Sequence, residues 1–316
     1  MKKYAVFIST VVALVLVAMV SACEKAISAD DSKGATSNGN LRVSVYQIEQ
    51  TPFESLFPDT KGALRHTAAA SRRATAASRR ATAASEVCTR LNFAVYDQDG
   101  TRLKMVSQTS NMADFGHVSF QLPEGTYRLV VVGHSASGNP TMTDLSKIQF
   151  TNTTGYSDTF LCYGVVTIGE NPVDYEVTLD RIVSLCRFVI TDDSYPADVK
   201  KMSFYYTGGS GAFDATTGFG SVNSKQEVKF DVATGQKQFD LYTFLHATEG
   251  TIHLTATALD AAGNELYTRQ FDVPMQKNYI TWLSGSFFDD SGSSSTSTIT
   301  GVKVNTDWAG QSHLTF

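Results

Sequence analysis

The feature of this sequence that most restricts its fold is a long succession of short stretches in which apolar and polar residues alternate. Leu91, Phe93 and Val95, for example, alternate with polar or small neighbours, and the tight turn Asp97–Gly100 follows them. Alternation with a period of two is typical of half-buried strands, and turns that contain glycine join strands into hairpins. Downstream of residue 86 no stretch shows helical periodicity. The sequence therefore predicts an all-β fold.

The predicted strands fall into two series along the chain. With 316 residues, the chain is long enough for two domains of ordinary size. In the second series, Ile252–Leu259 and Leu266–Val273 are predicted to form a hairpin, and the last strand is predicted at Ile299–Val304. Many short strands at regular spacing favour β-sandwiches. We therefore predict two tandem β-sandwich domains, at residues 41–180 and 181–316.

Residues 1–22 are predicted to be a lipoprotein signal peptide. Two lysines begin the chain, an apolar stretch follows over residues 4–20, and small residues stand directly before Cys23. This pattern matches the bacterial lipobox, in which the cysteine thiol receives diacylglycerol and the leader is cut before it. Since each buried CH₂ contributes about 0.8 kcal/mol, two or more fatty chains on Cys23 would anchor the protein to a membrane. An ordinary secretory signal or an uncleaved anchor helix are the alternatives.

Two later segments differ in composition from the strands. Residues 23–40 are small and polar without periodicity, and predict a lipidated, flexible tether. Residues 65–85 carry a seven-residue unit in three tandem copies, of which the last two read RRATAAS. No position of the unit holds a large apolar residue, which excludes a coiled coil. We interpret the repeat as an expanded surface loop of the first sandwich; a site for Arg-specific proteases or a basic contact to an anionic surface are alternatives.

Charge and motifs exclude several classes of function. The formal net charge is −5, and removal of the leader leaves 24 basic against 31 acidic residues, so nucleic acid is not an expected partner. The sequence has no G-x-S-x-G elbow, no CxxC pair and no glycine-rich phosphate loop with its lysine, and its six histidines are scattered. We therefore expect no enzymatic activity, no metal site and no cofactor.

Three cysteines remain after Cys23, namely Cys88, Cys162 and Cys186. An exported protein can form disulfides, but an odd number of cysteines leaves at least one thiol unpaired. A disulfide between Cys162 and Cys186 is one prediction. Because both lie in apolar strands, buried free thiols are the alternative.

Five segments together resemble the Bacteroidetes fimbrial anchor and accessory lipoproteins, the FimB/Mfa-like fimbrillin family. In chain order, after the lipobox cysteine, these segments are LNFAVYDQDGTRL, LPEGTYRLVVVGHS, DRIVSLCRFVI, NYITWLSGSFF and VKVNTDW. The similarity covers nearly all of the chain after Cys23 except the tether and the Arg/Ala repeat.

The resemblance implies two transthyretin-like β-sandwiches and a role as a fimbrial anchor or accessory subunit. It implies a surface-exposed location on the outer membrane, with the lipid retained on Cys23. It also implies that other fimbrial subunits are the partners and that they join by strand complementation, in which an extended strand from a neighbour completes a sheet. The alternative is a surface lipoprotein that binds glycan or host protein, for which Tyr205, Tyr206 and Tyr242 are candidate aromatic platforms.

Overall fold

A computed structural model describes residues 39–49, 84–232, 236–288, 298–299 and 310–316. One short helix, α1, spans Ala84–Val87. The strands of the first half are β1 (Leu41–Glu49), β2 (Arg90–Tyr96), β3 (Arg102–Thr109), β4 (His117–Phe120), β5 (Gly125–His134), β6 (Ile148–Gln149), β7 (Thr159–Ile168) and β8 (Val173–Arg181). Those of the second half are β9 (Ser184–Ile190), β10 (Lys201–Thr207), β11 (Ala212–Asp214), β12 (Phe219–Gly220), β13 (Gln226–Asp231), β14 (Gln238–Thr243), β15 (Glu249–Leu259), β16 (Glu265–Gln276), β17 (Tyr279–Gly285), β18 (Thr298–Ile299) and β19 (Gly310–Thr315).

The first half contains a seven-stranded sheet in the order β3-β2-β5-β7-β8-β1-β4. Strands β7 and β8 pair over only two residues, Phe160 and Leu161. Side chains of β2, β5 and β7 share one apolar core with side chains of β8, β1 and β4. The sheet therefore folds over on itself into two layers, as a sandwich requires. Strand β1 lies between β8, to which it is parallel, and β4, to which it is antiparallel.

The second half is a sandwich of two separate sheets. One sheet has the order β13-β10-β15-β16, and the other has the order β14-β9-β17-β19-β18. Phe204 and Ile252 of the first sheet pack in one core with Phe188, Leu283 and Leu314 of the second. The carboxyl-terminal β19 is parallel to β17, which is in turn parallel to β9.

A third apolar cluster joins the two halves. Tyr96 and Val130, on the outer face of the first sheet, belong to the same buried cluster as Phe150, Phe244 and Ile280. A small sheet in the order β12-β11-β6 also crosses the junction, because β6 comes from the first half and β11 from the second. Both halves therefore share buried surface and backbone hydrogen bonds.

Each sandwich has an outer end that lies away from this junction, and the strand directions show which residues form it. Leu41 pairs with Val173 at the start of β8, and β8 runs from there to Arg181 at the junction. We call the end of the first sandwich at Leu41 the tether pole. Strand β9 begins at the junction, where Leu185 is buried in the shared cluster, and runs away from it. We call the end of the second sandwich formed by residues 191–196 and 286–288 the distal pole.

The structure confirms the all-β fold class and the hairpin that is now β15–β16. The domain boundary between residues 180 and 181 stays a prediction. The predicted last strand is present only as β18 within the described residues, since residues 300–309 lie outside them. Strand β19 was not predicted from the sequence. The signal peptide, nearly all of the tether and the Arg/Ala repeat up to residue 83 also lie outside. No described helix has the length and apolarity that membrane crossing demands.

Candidate functional site

The chain enters the first sandwich at the tether pole through a fixed contact. Cys23 lies outside the described residues. Asn40, just before β1, is hydrogen-bonded on one side to Leu122, which follows β4, and on the other side to Val173, which begins β8. Its side-chain amide donates to the carbonyl of Leu122 at 2.6 Å, and its side-chain oxygen accepts from the Leu122 amide at 2.9 Å. The Asn40 carbonyl accepts from the Val173 amide at 2.8 Å. The last residue of the predicted tether is therefore held in place before the first strand starts.

Strand β1 fills an interior position of the first sheet, between β8 and the edge strand β4. Leu41, Val43 and Ile48 are buried in the first core, and Arg42 forms an ion pair with Asp174 at 3.1 Å on the neighbouring β8. Pairing to β8 extends over eight residues. The strand nearest to the predicted lipid is thus an integral part of the fold.

The second sandwich offers the longest edge strand. Strand β16 has 12 residues and pairs with β15 along nearly its whole length, and it is the last strand of its sheet. An edge strand presents backbone N–H and C=O groups that a further strand can pair with. Phe271, Val273 and Met275 point into the core, while the residues between them are exposed. This edge lies in the sandwich that is further from the tether pole.

The junction between the sandwiches contains a buried ion pair. The Arg181 guanidinium donates to both carboxylate oxygens of Asp158 at 2.7 Å, and its side chain is 2% exposed. The same guanidinium lies 4.9 Å from the centre of the Phe160 ring and 3.4 Å from the side-chain oxygen of Asn278, in the second half. The bidentate ion pair lies within the first half and fixes the guanidinium, and the hydrogen bond to Asn278 links it to the second half.

His134, at the end of β5, is fully buried in a polar network. Its Nδ1 accepts a hydrogen bond from the Ala136 amide at 3.2 Å, so the ring proton sits on Nε2 and donates to the side-chain oxygen of Asn92 at 2.8 Å. Asn92 in turn donates to Ser107 at 2.8 Å. Burial, and then the positive charge of Arg90, lower the pKa of His134 from 6.5 to about 4. The imidazole is therefore neutral near pH 7.

The three cysteines after Cys23 are buried and carry free thiols. Cys162 belongs to the core of the first sandwich and Cys186 to the core of the second, so the two side chains lie in different cores. The structure therefore corresponds to the free-thiol alternative and not to the predicted disulfide. Burial raises the pKa of Cys88 and Cys186 to about 12, which leaves both as unreactive thiols.

The candidate tyrosine platforms separate into one exposed and two covered residues. Tyr205 is exposed on the outer face of β10. Tyr206 is fully buried, and its hydroxyl donates to the Tyr242 carbonyl at 2.9 Å. Tyr242 packs against the shared cluster at the junction. Among the described residues, no group of three or more His, Cys, Asp or Glu side chains could hold a metal ion.

The site thus consists of a fixed entry point at one end of an all-β chain and a long edge strand in the sandwich further from it. Comparison with known families gives the identification: residues 63–313 match the model of the fimbrillin-A associated anchor proteins Mfa1 and Mfa2. The chain belongs to this family. Its members are structural fimbrial proteins, so the fimbrial role that the resemblance implied is supported.

Three similar solved structures come from Porphyromonas, Bacteroides and Parabacteroides species. The fimbrial anchor protein Mfa2 from Porphyromonas gingivalis has 12% sequence identity and a TM-score of 0.37, over 72% of this chain and 80% of that one. A candidate adhesin from Bacteroides ovatus has 13% identity and a TM-score of 0.42, over 72% and 74%. A fimbrial assembly protein from Parabacteroides distasonis has 15% identity and a TM-score of 0.34, over 66% and 86%. No curated protein matches the sequence.

Proposed function

We propose that this chain is an outer-membrane lipoprotein, acylated on Cys23, that anchors a fimbria or serves as its accessory subunit. In this proposal the tether of residues 23–40 leads from the lipid to β1, and the second sandwich receives a neighbouring subunit by strand complementation. Family membership supports the fimbrial role. The lipobox before Cys23 supports the lipid anchor.

The observation that carries the proposal is the separation of the tether pole from the free edge of the second sandwich. The chain enters at Asn40, and β8 and β9 then lead through the junction to the other end. An anchor needs this arrangement, since the membrane occupies one end and the next subunit must reach the other. The hydrogen bond from Arg181 to Asn278 and the shared apolar cluster join the two halves.

Strand β16 is the edge that we assign to complementation. It is the longest described strand, and its free side can take up main-chain hydrogen bonds before Pro274, which has no N–H and whose carbonyl already accepts from the Thr281 hydroxyl at 3.0 Å. The edges β3 and β13 are shorter, with 8 and 6 residues. A partner strand added to β16 would extend the sheet that covers the second core.

The lipid anchor is tested by the variant Cys23→Ala. The proposal expects the protein and its attached fibres to move from the cell envelope into the medium, and mass spectrometry of the wild-type protein to find fatty acid on residue 23. Cys88→Ala is the matched control, because it removes a cysteine and keeps the lipobox, and it should leave the fibres on the cell. Retention of both protein and fibres by the Cys23→Ala cells would refute the anchor.

The site of complementation is tested by hydrogen–deuterium exchange on the protein free and in complex with its fimbrial subunits. Addition of a strand to β16 would slow exchange of amides within residues 265–276, because free N–H groups at the edge become hydrogen-bonded. Exchange in β3, at the other sandwich, should stay unchanged and serves as the internal control. Protection confined to β3 or to loops would show that β16 is not the docking edge.

A further inference from the structure

An open cavity lies at the distal pole of the second sandwich. Its volume is about 520 Å³, and it is lined by residues 191–196 from the loop after β9 and by Ser286 and Phe288 from the loop after β17. Cavities of about 300 to 1,000 Å³ are the usual size of small-molecule sites. Because β9 and β17 are parallel neighbours, both loops leave the sheet at the same end.

Asp192 holds the two loops of the cavity together. Its carboxylate accepts hydrogen bonds from the hydroxyl of Ser286 at 2.7 Å and from the backbone amides of Phe287 and Phe288 at 2.5 and 3.2 Å. Although burial alone would raise it, these hydrogen bonds hold the pKa of Asp192 below its usual value. The carboxylate therefore stays charged at neutral pH, and the shape of the cavity is set without a ligand.

The walls of the cavity combine aromatic rings with hydroxyl groups. The rings of Tyr195 and Phe288 meet edge to face with centroids 5.3 Å apart, and the Tyr195 hydroxyl is fixed by the Gln236 carbonyl at 2.8 Å. Thr191 and Ser194 add hydroxyls, which both donate and accept hydrogen bonds. The exposed carboxylate of Asp193 has no hydrogen-bond partner among the described residues, so it can accept from a ligand.

The charge at the mouth of the cavity distinguishes between two kinds of ligand. A cationic group would match the carboxylates and the aromatic rings. However, the Lys237 ammonium donates to the backbone carbonyl of Asp193 at 3.1 Å, and its positive charge offsets part of the negative charge of the two carboxylates. A neutral ligand with many hydroxyls and an apolar face does not depend on this charge balance and matches both the hydroxyl groups and the aromatic rings.

We propose that this cavity binds a short saccharide, with the C–H face of a pyranose against Phe288 and Tyr195 and its hydroxyls on Asp193, Ser194 and Thr191. Such an activity goes beyond anchoring, since it gives the membrane-distal end of the protein a contact to glycan. It does not depend on the lipid on Cys23 or on strand complementation at β16.

Saturation-transfer NMR on the purified mature chain tests the proposal. The probes are methyl α-mannoside, methyl β-galactoside and N,N′-diacetylchitobiose, with N-acetyl-lysine amide as the cationic probe. At least one sugar should receive transfer in the wild type, and Asp193→Ala and Phe288→Leu should weaken its binding about tenfold or more. Asp198→Asn, an exposed carboxylate on the same loop outside the cavity, should bind as the wild type does.

Each contrary outcome is decisive. Since Asp193 is exposed, its substitution does not disturb the core, and loss of binding in that variant reports on the site and not on folding. Absence of transfer to all three sugars, transfer that survives both cavity substitutions, or binding of the lysine probe alone would overturn the saccharide proposal. None of these results would bear on the anchor, which the Cys23→Ala experiment tests separately.

Discussion

Mild acid should destabilise this protein through one buried histidine. The Nδ1 of His134 faces the N–H group of Ala136, and its Nε2–H faces the side-chain oxygen of Asn92. A proton added to Nδ1 would meet a donor instead of an acceptor, and the positive charge would be buried near Arg90. The folded state therefore resists protonation that the unfolded chain accepts freely.

The size of the effect follows from the difference between the two pKa values. The pKa of His134 is about 4 in the folded protein against 6.5 for the unperturbed group. Because the folded pKa is lowered, the stability is complete above pH 6.5 and is lost as the pH falls towards 4. Since one pKa unit corresponds to about 1.4 kcal/mol, the free energy of unfolding should fall by about 2 kcal/mol between pH 7 and pH 5, and by about 3 kcal/mol at pH 4.

Urea unfolding of the mature chain at pH 7.5, 6 and 5 measures this change. Carboxylates also titrate near pH 4 to 5, so the useful quantity is the difference between the wild type and His134→Gln at each pH. The variant should be less stable at pH 7.5 but should lose about 2 kcal/mol less on acidification to pH 5. Equal slopes for the wild type and His134→Gln would refute the reasoning.

Three further predictions concern the junction, the thiols and β1. Arg181→Met should lower the free energy of unfolding by about 3 kcal/mol, because the carboxylate of Asp158 loses its partner. Arg42→Met, which breaks the more exposed pair with Asp174, should cost less than about 1 kcal/mol. Equal losses for the two variants in thermal or urea unfolding would contradict this prediction. In a Cys23→Ala chain, Ellman's reagent should find no reactive thiol in the native protein and three in denaturant, whereas a single thiol in denaturant would indicate a disulfide. The chain can be cut within the Arg/Ala repeat by an Arg-specific protease. The fragment that carries β1 should then co-elute with the rest of the chain in gel filtration and separate only in denaturant, because Leu41, Val43 and Ile48 are buried. Separation in native buffer would show that β1 is held weakly.

The sequence predicted those features of the fold that depend on local patterns. Alternation in β2 and the turn residues between β15 and β16 indicated strands and a hairpin without knowledge of their partners. Strand order could not be predicted in the same way, since the parallel pairs β1–β8 and β9–β17 join segments far apart in the chain. Strand β19 was missed because GQSHLT is largely polar and its burial depends on partners contributed by β17.

One signal for the junction was present in the sequence. Val130, Val131 and Val132 form a continuous apolar run in β5, and a strand with only one buried face would alternate instead. Val131 points into the first core, and Val130 and Val132 point into the shared cluster. The run therefore indicated a second covered face, although not what covers it. The distal cavity gave no such signal, because Asp192 and Phe288 are 96 positions apart.

The position of β1 decides how the proposed anchor would respond to mechanical load. A pull transmitted from a fibre to a lipid on Cys23 would act on the start of β1 and along its axis. Its hydrogen bonds to β8 and β4 would then be strained together in shear, whereas a strand pulled sideways loses its bonds one after another. The eight residue pairs with β8 would share the force, and extraction of β1 would require all of them to break at once.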